Sequence, residues 1–144
     1  MAEVVDAYAI VALIADEPAA QIVEDVLRWG NATMTSINLG EAVDVLCRVH
    51  GLPEDRVRAV VEPLILAGHL SVIAPSEVSA WRAAHLRIDY YARDTRPVSI
   101  ADCFLLAAAG PEDRIATADP SVAEIARVEG IGVLPLPDSA GRCP

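Results

Sequence analysis

Short apolar runs alternate with longer helical patterns along almost the whole chain, and this alternation leaves few folds open to it. Strand-like runs fall at residues 3–5, 33–35, 70–73, 114–117 and 133–136, each bounded by turn residues. Helical patterns fill the intervals at 7–14, 18–29, 39–50, 53–67, 76–92, 99–109 and 120–129, with breaks at Asp16-Glu17-Pro18, Gly51 and Gly68. The order βααβααβααβαβ predicts an α/β fold: a parallel sheet of about five strands with helices on both faces, joined by right-handed crossovers. A length of 144 residues suits one domain. We place it at residues 1–136 and expect 137–144, with two prolines and a glycine, to form a flexible C-terminal tail.

The chain is 53% hydrophobic, yet its longest apolar run, residues 7–15, is about half of a membrane span. No membrane association is expected, and the excess apolar surface suits burial against a second copy or a partner. The first residues carry Glu3 and Asp6 without a basic residue, unlike a secretory start. Cys47, Cys103 and Cys143 are odd in number and lack C-x-x-C spacing, which fits reduced thiols and a cytoplasmic location.

Formal charge is −10, which repels a phosphate backbone at long range. Activity on a nucleic acid would therefore depend on local arginines and bound cations. All eleven basic residues are arginine. The absence of lysine excludes P-loop phosphate sites, Schiff-base chemistry and the usual phospho-receiver site, each of which needs an ammonium on a flexible stem.

Four carboxylates stand where a strand pattern gives way to a helical one: Asp6 after Val4-Val5, Glu41 in Ser36-Ile37-Asn38-Leu39-Gly40-Glu41, Asp102 in Ser99-Ile100-Ala101-Asp102, and Asp119 in Ile115-Ala116-Thr117-Ala118-Asp119. In a parallel sheet these junctions share one edge, where such folds bind ligands. Each acid is also a good helix cap: Asn38-x-x-Glu41 and Ser99-x-x-Asp102 have capping-box spacing, and Asp119-Pro120 reads as an N-cap followed by proline at N1. Capping does not account for the lack of nearby cations, since no arginine lies within three positions of Asp6, Glu41 or Asp102. Carboxylates gathered at about 5 Å repel by roughly 3 kcal/mol per pair at an effective dielectric near 20. Such a group persists only with a counter-cation or raised pKa values, and oxygen-only ligands select Mg²⁺ or Mn²⁺.

Taken together, Val5-Asp6-Ala7-Tyr8, Asn38-x-x-Glu41, Ala101-Asp102 and Ile115-Ala116-Thr117-Ala118-Asp119 resemble the PIN-domain ribonucleases, and among them the VapC-type toxins of bacterial toxin–antitoxin pairs. The resemblance implies a three-layer α/β/α fold and metal-dependent cleavage of RNA phosphodiesters, with Asp6, Glu41, Asp102 and Asp119 as the catalytic metal ligands. We expect Asp6 and Asp102 to bind Mg²⁺ or Mn²⁺ directly, and Glu41 and Asp119 to hold a second ion or orient water. Asn38 and Thr117 are supporting candidates. The resemblance also implies a homodimer held inactive by a cognate VapB-like antitoxin, and the acidic surface agrees with a basic inhibitor segment.

Several other residues have plainer readings. Asp44 shares a face with Glu41 but reads as a solvated helix acid, and Arg93 and Arg96 lie on a polar connector from which they could reach substrate phosphates. Cys47-x-x-His50 lacks the second pair a zinc site needs. Trp29, Trp81, Tyr90 and Tyr91 read as core or interface anchors, and Cys47 and Cys103 as core filler. Two rival functions remain. One is a phosphohydrolase with an aspartate nucleophile in a D-x-D motif, although Tyr8 occupies the second acid's place; the other is a non-catalytic binding module of the same fold.

Overall fold

A computed structural model describes all 144 residues. The strands Glu3–Val5 (β1), Ala32–Thr35 (β2), Leu70–Ile73 (β3), Arg114–Thr117 (β4) and Gly132–Pro135 (β5) form one parallel sheet in the order β3-β2-β1-β4-β5. The helices are Ala7–Ala15 (α1), Ala20–Trp29 (α2), Ser36–Asp44 (α3), Glu54–Leu66 (α4), Glu77–Tyr90 (α5), Ile100–Ala108 (α6) and Pro120–Val128 (α7). No helix is long and apolar enough to cross a membrane.

The chain runs outward from β1 through β2 to β3, then returns to place β4 on the other side of β1 and continues to β5. With right-handed crossovers, this reversal sends the later helices to the opposite face. Two separate cores result, and adjacent strand residues supply one each. Val5, Met34 and Ala116 pack with Ile10 of α1, Val23 and Leu27 of α2, and Val57 and Val61 of α4. Val4 and Ile115 pack with Leu86 of α5, Leu105 and Leu106 of α6, and Ile125 of α7. The three-layer α/β/α architecture expected from the sequence is the one observed.

Helix α1 stops where Asp16 turns left-handed (φ 55°), a conformation a short polar side chain tolerates. The start of α3 departs from expectation. Asn38 is not the cap: Thr35, at the end of β2, takes that place, and its Oγ1 accepts from the Asn38 N–H at 3.1 Å. The helix therefore begins at Ser36, placing Glu41 in its second turn. Its continuation is not α-helical, because Val45–Val49 forms a π-helical turn in which the His50 N–H reaches Val45 O at 3.2 Å. Trp29 and Trp81 are 84% and 64% exposed, so neither is a core anchor.

At the edge of the sheet where β1 begins, Glu3 is only 3% exposed and lies opposite Arg114 in the β1–β4 register. The Arg114 guanidinium donates to Glu3 Oε1 through Nε, at 2.9 Å, and through Nη2. The Arg114 side chain is nearly half exposed but Glu3 is not, so removing the guanidinium leaves a buried carboxylate uncompensated. Arg114→Ala is expected to destabilise the protein by roughly 3 kcal/mol, read from the midpoint of urea unfolding.

Candidate metal centre

The reversal of strand order falls between β1 and β4, and the residues following those strands open the crevice there. Asp6 follows β1 directly, and its N–H continues the ladder to Ala116 O at 3.2 Å. Thr117 ends β4, and Asp119 lies two residues beyond it. Asp102 arrives on the first turn of α6, which follows helix α5 and a connector and not the strand expected before it, and Glu41 arrives in the second turn of α3. All four acids line one open cleft of about 330 Å³, together with Tyr8, Asp138 and Ser139. The largest groove lies elsewhere, between α1, α2 and α4; it is mainly apolar and contains none of these acids.

Three of the acids cap their own helices with one oxygen. Asp6 Oδ1 accepts from the Ala9 N–H at 3.0 Å. Asp102 Oδ2 accepts from the Ser99 N–H and hydroxyl, both at 2.7 Å, while Ser99 Oγ accepts from the Asp102 N–H, completing the capping box. Asp119 Oδ1 accepts from the Ser121 and Val122 N–H groups at 2.7 and 3.2 Å. The caps expected from the sequence at Asp6, Ser99 and Asp119 are therefore formed, yet capping leaves each carboxylate its second oxygen.

Neighbouring polar groups brace the cluster. The wholly buried Thr117 accepts the Asp119 N–H at 3.1 Å, and its hydroxyl opposes the rise of the Asp6 pKa. Asn38, 1% exposed, accepts from the Thr35 hydroxyl and donates through Nδ2 to Ala101 O at 3.3 Å, tying α3 to the start of α6 beside Asp102. Its side chain also opposes the rise of the Glu41 pKa.

No ion pair of the molecule includes Asp6, Glu41, Asp102 or Asp119. Burial pushes the Asp6 pKa up to about 7, with Asp102 and Asp119 adding to the rise against the Thr117 and Ala9 hydrogen bonds. Burial also raises Asp102, and Asp119 adds to it. Glu41 is raised by burial and then by Asp102. The negative charges thus feel one another without a protein cation between them.

With the side chains as they stand, no three acidic, histidine or cysteine groups are arranged to enclose an ion. Mg²⁺ does not require such a cage, since it keeps several waters and takes one or two carboxylates. A donor set made only of carboxylates, uncompensated and partly buried, fits a hard dication. Asp44 is diverted: Arg48 binds it through Nε at 3.0 Å and Nη2 at 2.7 Å, outside the cleft. Arg96 is drawn away too, toward Glu124 at 3.7 Å and over the Tyr90 ring.

The sequence matches the PIN domain over residues 4–128. The chain belongs to the PIN-domain family. Among solved structures, this PIN domain is similar to a toxin–antitoxin complex from Klebsiella pneumoniae (18% identity, 92% of this chain and 96% of that one, TM-score 0.65). It is similar also to DNA-bound VapBC from Salmonella typhimurium (24%, 93% and 98%, TM-score 0.68) and to FitAcB from Neisseria gonorrhoeae (18%, 91% and 95%, TM-score 0.55). At these identities the likeness is one of fold. No curated protein matches the sequence.

Sequence reasoning missed Tyr8, Asp138 and Ser139 as lining residues. Tyr8 could have been read from its position two residues after Asp6. Nothing in the tail's composition marks it as a wall of the cleft.

The raised acids make stability fall with pH. Asp6 has an ordinary pKa of 3.8 and a folded value of about 7, so between these values the folded chain holds more protons than the unfolded one. Stability then declines as pH rises through that window and stays reduced above it. In EDTA, the melting temperature is expected to drop between about pH 5 and pH 7.5, corresponding to a few kcal/mol. Asp6→Asn should remove most of the drop in calorimetry, and millimolar Mg²⁺ should flatten it.

Proposed function

We propose that this PIN domain is a Mg²⁺- or Mn²⁺-dependent endoribonuclease of the VapC toxin type, neutralised by a cognate antitoxin. One observation carries the reading: four carboxylates from separate elements line a single cleft with no protein cation among them. The folds of two toxin–antitoxin complexes and of FitAcB agree with it.

Asp6 and Asp102 are the groups we assign to hold the ion, because both are partly or fully buried and each is fixed through one oxygen by backbone N–H groups. Glu41 and Asp119, at the cleft margin, orient water. Thr117 steadies the chain at Asp119, and Asn38 ties α3, which carries Glu41, to the start of α6 beside Asp102. When bound, the dication supplies positive charge for the scissile phosphate and an activated water for in-line attack. Because water and not the RNA 2′-hydroxyl attacks, the products carry a 5′-phosphate and a 3′-hydroxyl.

The acid cleft, with no counter-cation of its own, suits a basic segment of an antitoxin. On α5, Val78, Trp81 and Ile88 are 77%, 64% and 76% exposed, and their spacing puts them on one face. This stripe supports a homodimer, and Trp81→Glu should convert it to monomer in sedimentation velocity.

Asp6→Asn and Asp102→Asn keep the caps but remove a charge each. Both are expected to lower RNA cleavage by about 10³-fold or more, several kcal/mol of transition-state stabilisation, with an unchanged circular dichroism spectrum. Products bearing a 2′,3′-cyclic phosphate would contradict the mechanism, and a trapped aspartyl-phosphate would favour a phosphohydrolase instead.

A further inference from the structure

The cleft has no arginine in its lining, and of the connector arginines Arg96 is held by Glu124 and Tyr90. A protein of charge −10 nevertheless needs local positive charge to hold a polyanion. The C-terminal segment supplies it. Leu136 is wholly buried, and its N–H donates to Thr117 O at 2.8 Å, so the chain leaves β5 anchored beside the acids. The Tyr8 hydroxyl then donates to Pro137 O at 3.2 Å, and Asp138 and Ser139 form part of the cleft wall.

Beyond Pro137 the chain closes a tight turn around Asp138. Asp138 Oδ1 accepts from the Ala140 and Arg142 N–H groups, both at 2.9 Å. The Asp138 N–H donates to Arg142 O and the Gly141 N–H to Asp138 O, each at 2.8 Å. Gly141 has φ +79°, a left-handed conformation that favours glycine. The Arg142 guanidinium lies on Asp138 Oδ2, with Nε at 3.1 Å and Nη2 at 3.0 Å. The Arg142 side chain is 80% exposed against 32% for Asp138. A single carboxylate oxygen takes the inner edge of the guanidinium, and its outer N–H groups stay open to solvent.

We propose that this tail turn is a guide for the substrate backbone, in which Asp138 fixes Arg142 at the rim of the acid cleft and Arg142 binds an RNA phosphate next to the one being cut. The proposal rests on the ribonuclease reading above. Asp138 acts here as a positioning residue, which inverts the effect expected of its charge. A carboxylate in the cleft wall that merely repelled RNA would improve binding when removed, whereas one that holds Arg142 weakens binding when removed.

The test measures binding of a fluorescent single-stranded RNA oligonucleotide by anisotropy in Mg²⁺ across a salt series, on an Asp102→Asn background that prevents cleavage. Arg142→Gln should weaken binding several-fold and reduce the slope of log affinity against log salt by about 0.7, one phosphate contact on a single strand. Asp138→Ala should weaken binding in the same direction, and the double variant should lose no more than Arg142→Gln alone. In the cleavage-competent protein, Arg142→Gln should raise KM several-fold and leave kcat within about twofold, while Arg142→Lys should keep most of the salt slope.

Unchanged affinity and salt slope in Arg142→Gln, or tighter binding in Asp138→Ala, would overturn the guide while leaving the ribonuclease intact. A parent protein that neither binds nor cuts RNA would overturn the ribonuclease reading itself, and the guide with it. Thermal melts of each variant separate these results from loss of fold.

Discussion

The parallel sheet brings together charges that repel one another. Every strand ends on the same edge, and β1 lies at the centre with the chain reversing direction beside it, so the residues after β1 and β4 have no course except into one crevice. Asp6, Asp102 and Asp119 then face a common space, and burial and mutual repulsion raise the pKa of Asp6 and Asp102. Helix starts make this arrangement tolerable. Each of the three acids is held by backbone N–H groups of its own helix, where the positive end of the helix favours negative charge. Capping thus occupies one oxygen of each carboxylate and aligns it, without engaging the other.

The distribution of arginine follows a matching logic. Within β1, Glu3 and the adjoining Asp6 stand at opposite edges of the sheet and are both buried, yet only Glu3 receives an arginine. Several acids outside the cleft are also paired, Asp44 with Arg48 and both Glu54 and Glu62 with Arg58, and at the cleft wall Asp138 is paired with Arg142. The four cleft acids are left alone. Asp6, Glu41 and Asp102 thus differ from Glu3 in being buried or half-buried together without a guanidinium, and burial and mutual repulsion keep their pKa values raised.

Much of this was legible before any coordinates. The apolar runs at 70–73 and 114–117 became β3 and β4 with the same bounds, and the Ser99–Asp102 capping box formed as spaced. The start of α3 was misread because Asn38 and Thr35 are both competent caps, and only the end of β2 decides which is reached first. The π-helical turn at Val45–Val49 leaves no periodic trace in the sequence, since one extra residue in a single turn hardly changes the pattern of apolar positions. For Trp29 and Trp81 the sequence left core and interface both open, and exposure excludes the core, whose volumes between sheet and helices are filled by smaller aliphatic side chains.

The sequence by itself determined the order of strands and helices, the acids that follow β1 and β4, and the lack of an arginine within three positions of Asp6, Glu41 or Asp102. These are local properties, set by hydrophobic period, turn chemistry and spacing. Only the tertiary structure decided that Asp6, Glu41, Asp102 and Asp119 share one cleft, that Asn38 joins α3 to α6, and that the last residues return past Tyr8 to form a wall of the site. Those contacts link residues up to 129 positions apart. Their formation depends on the strand order and the handedness of the crossovers, which arise from packing two cores on opposite faces of one sheet.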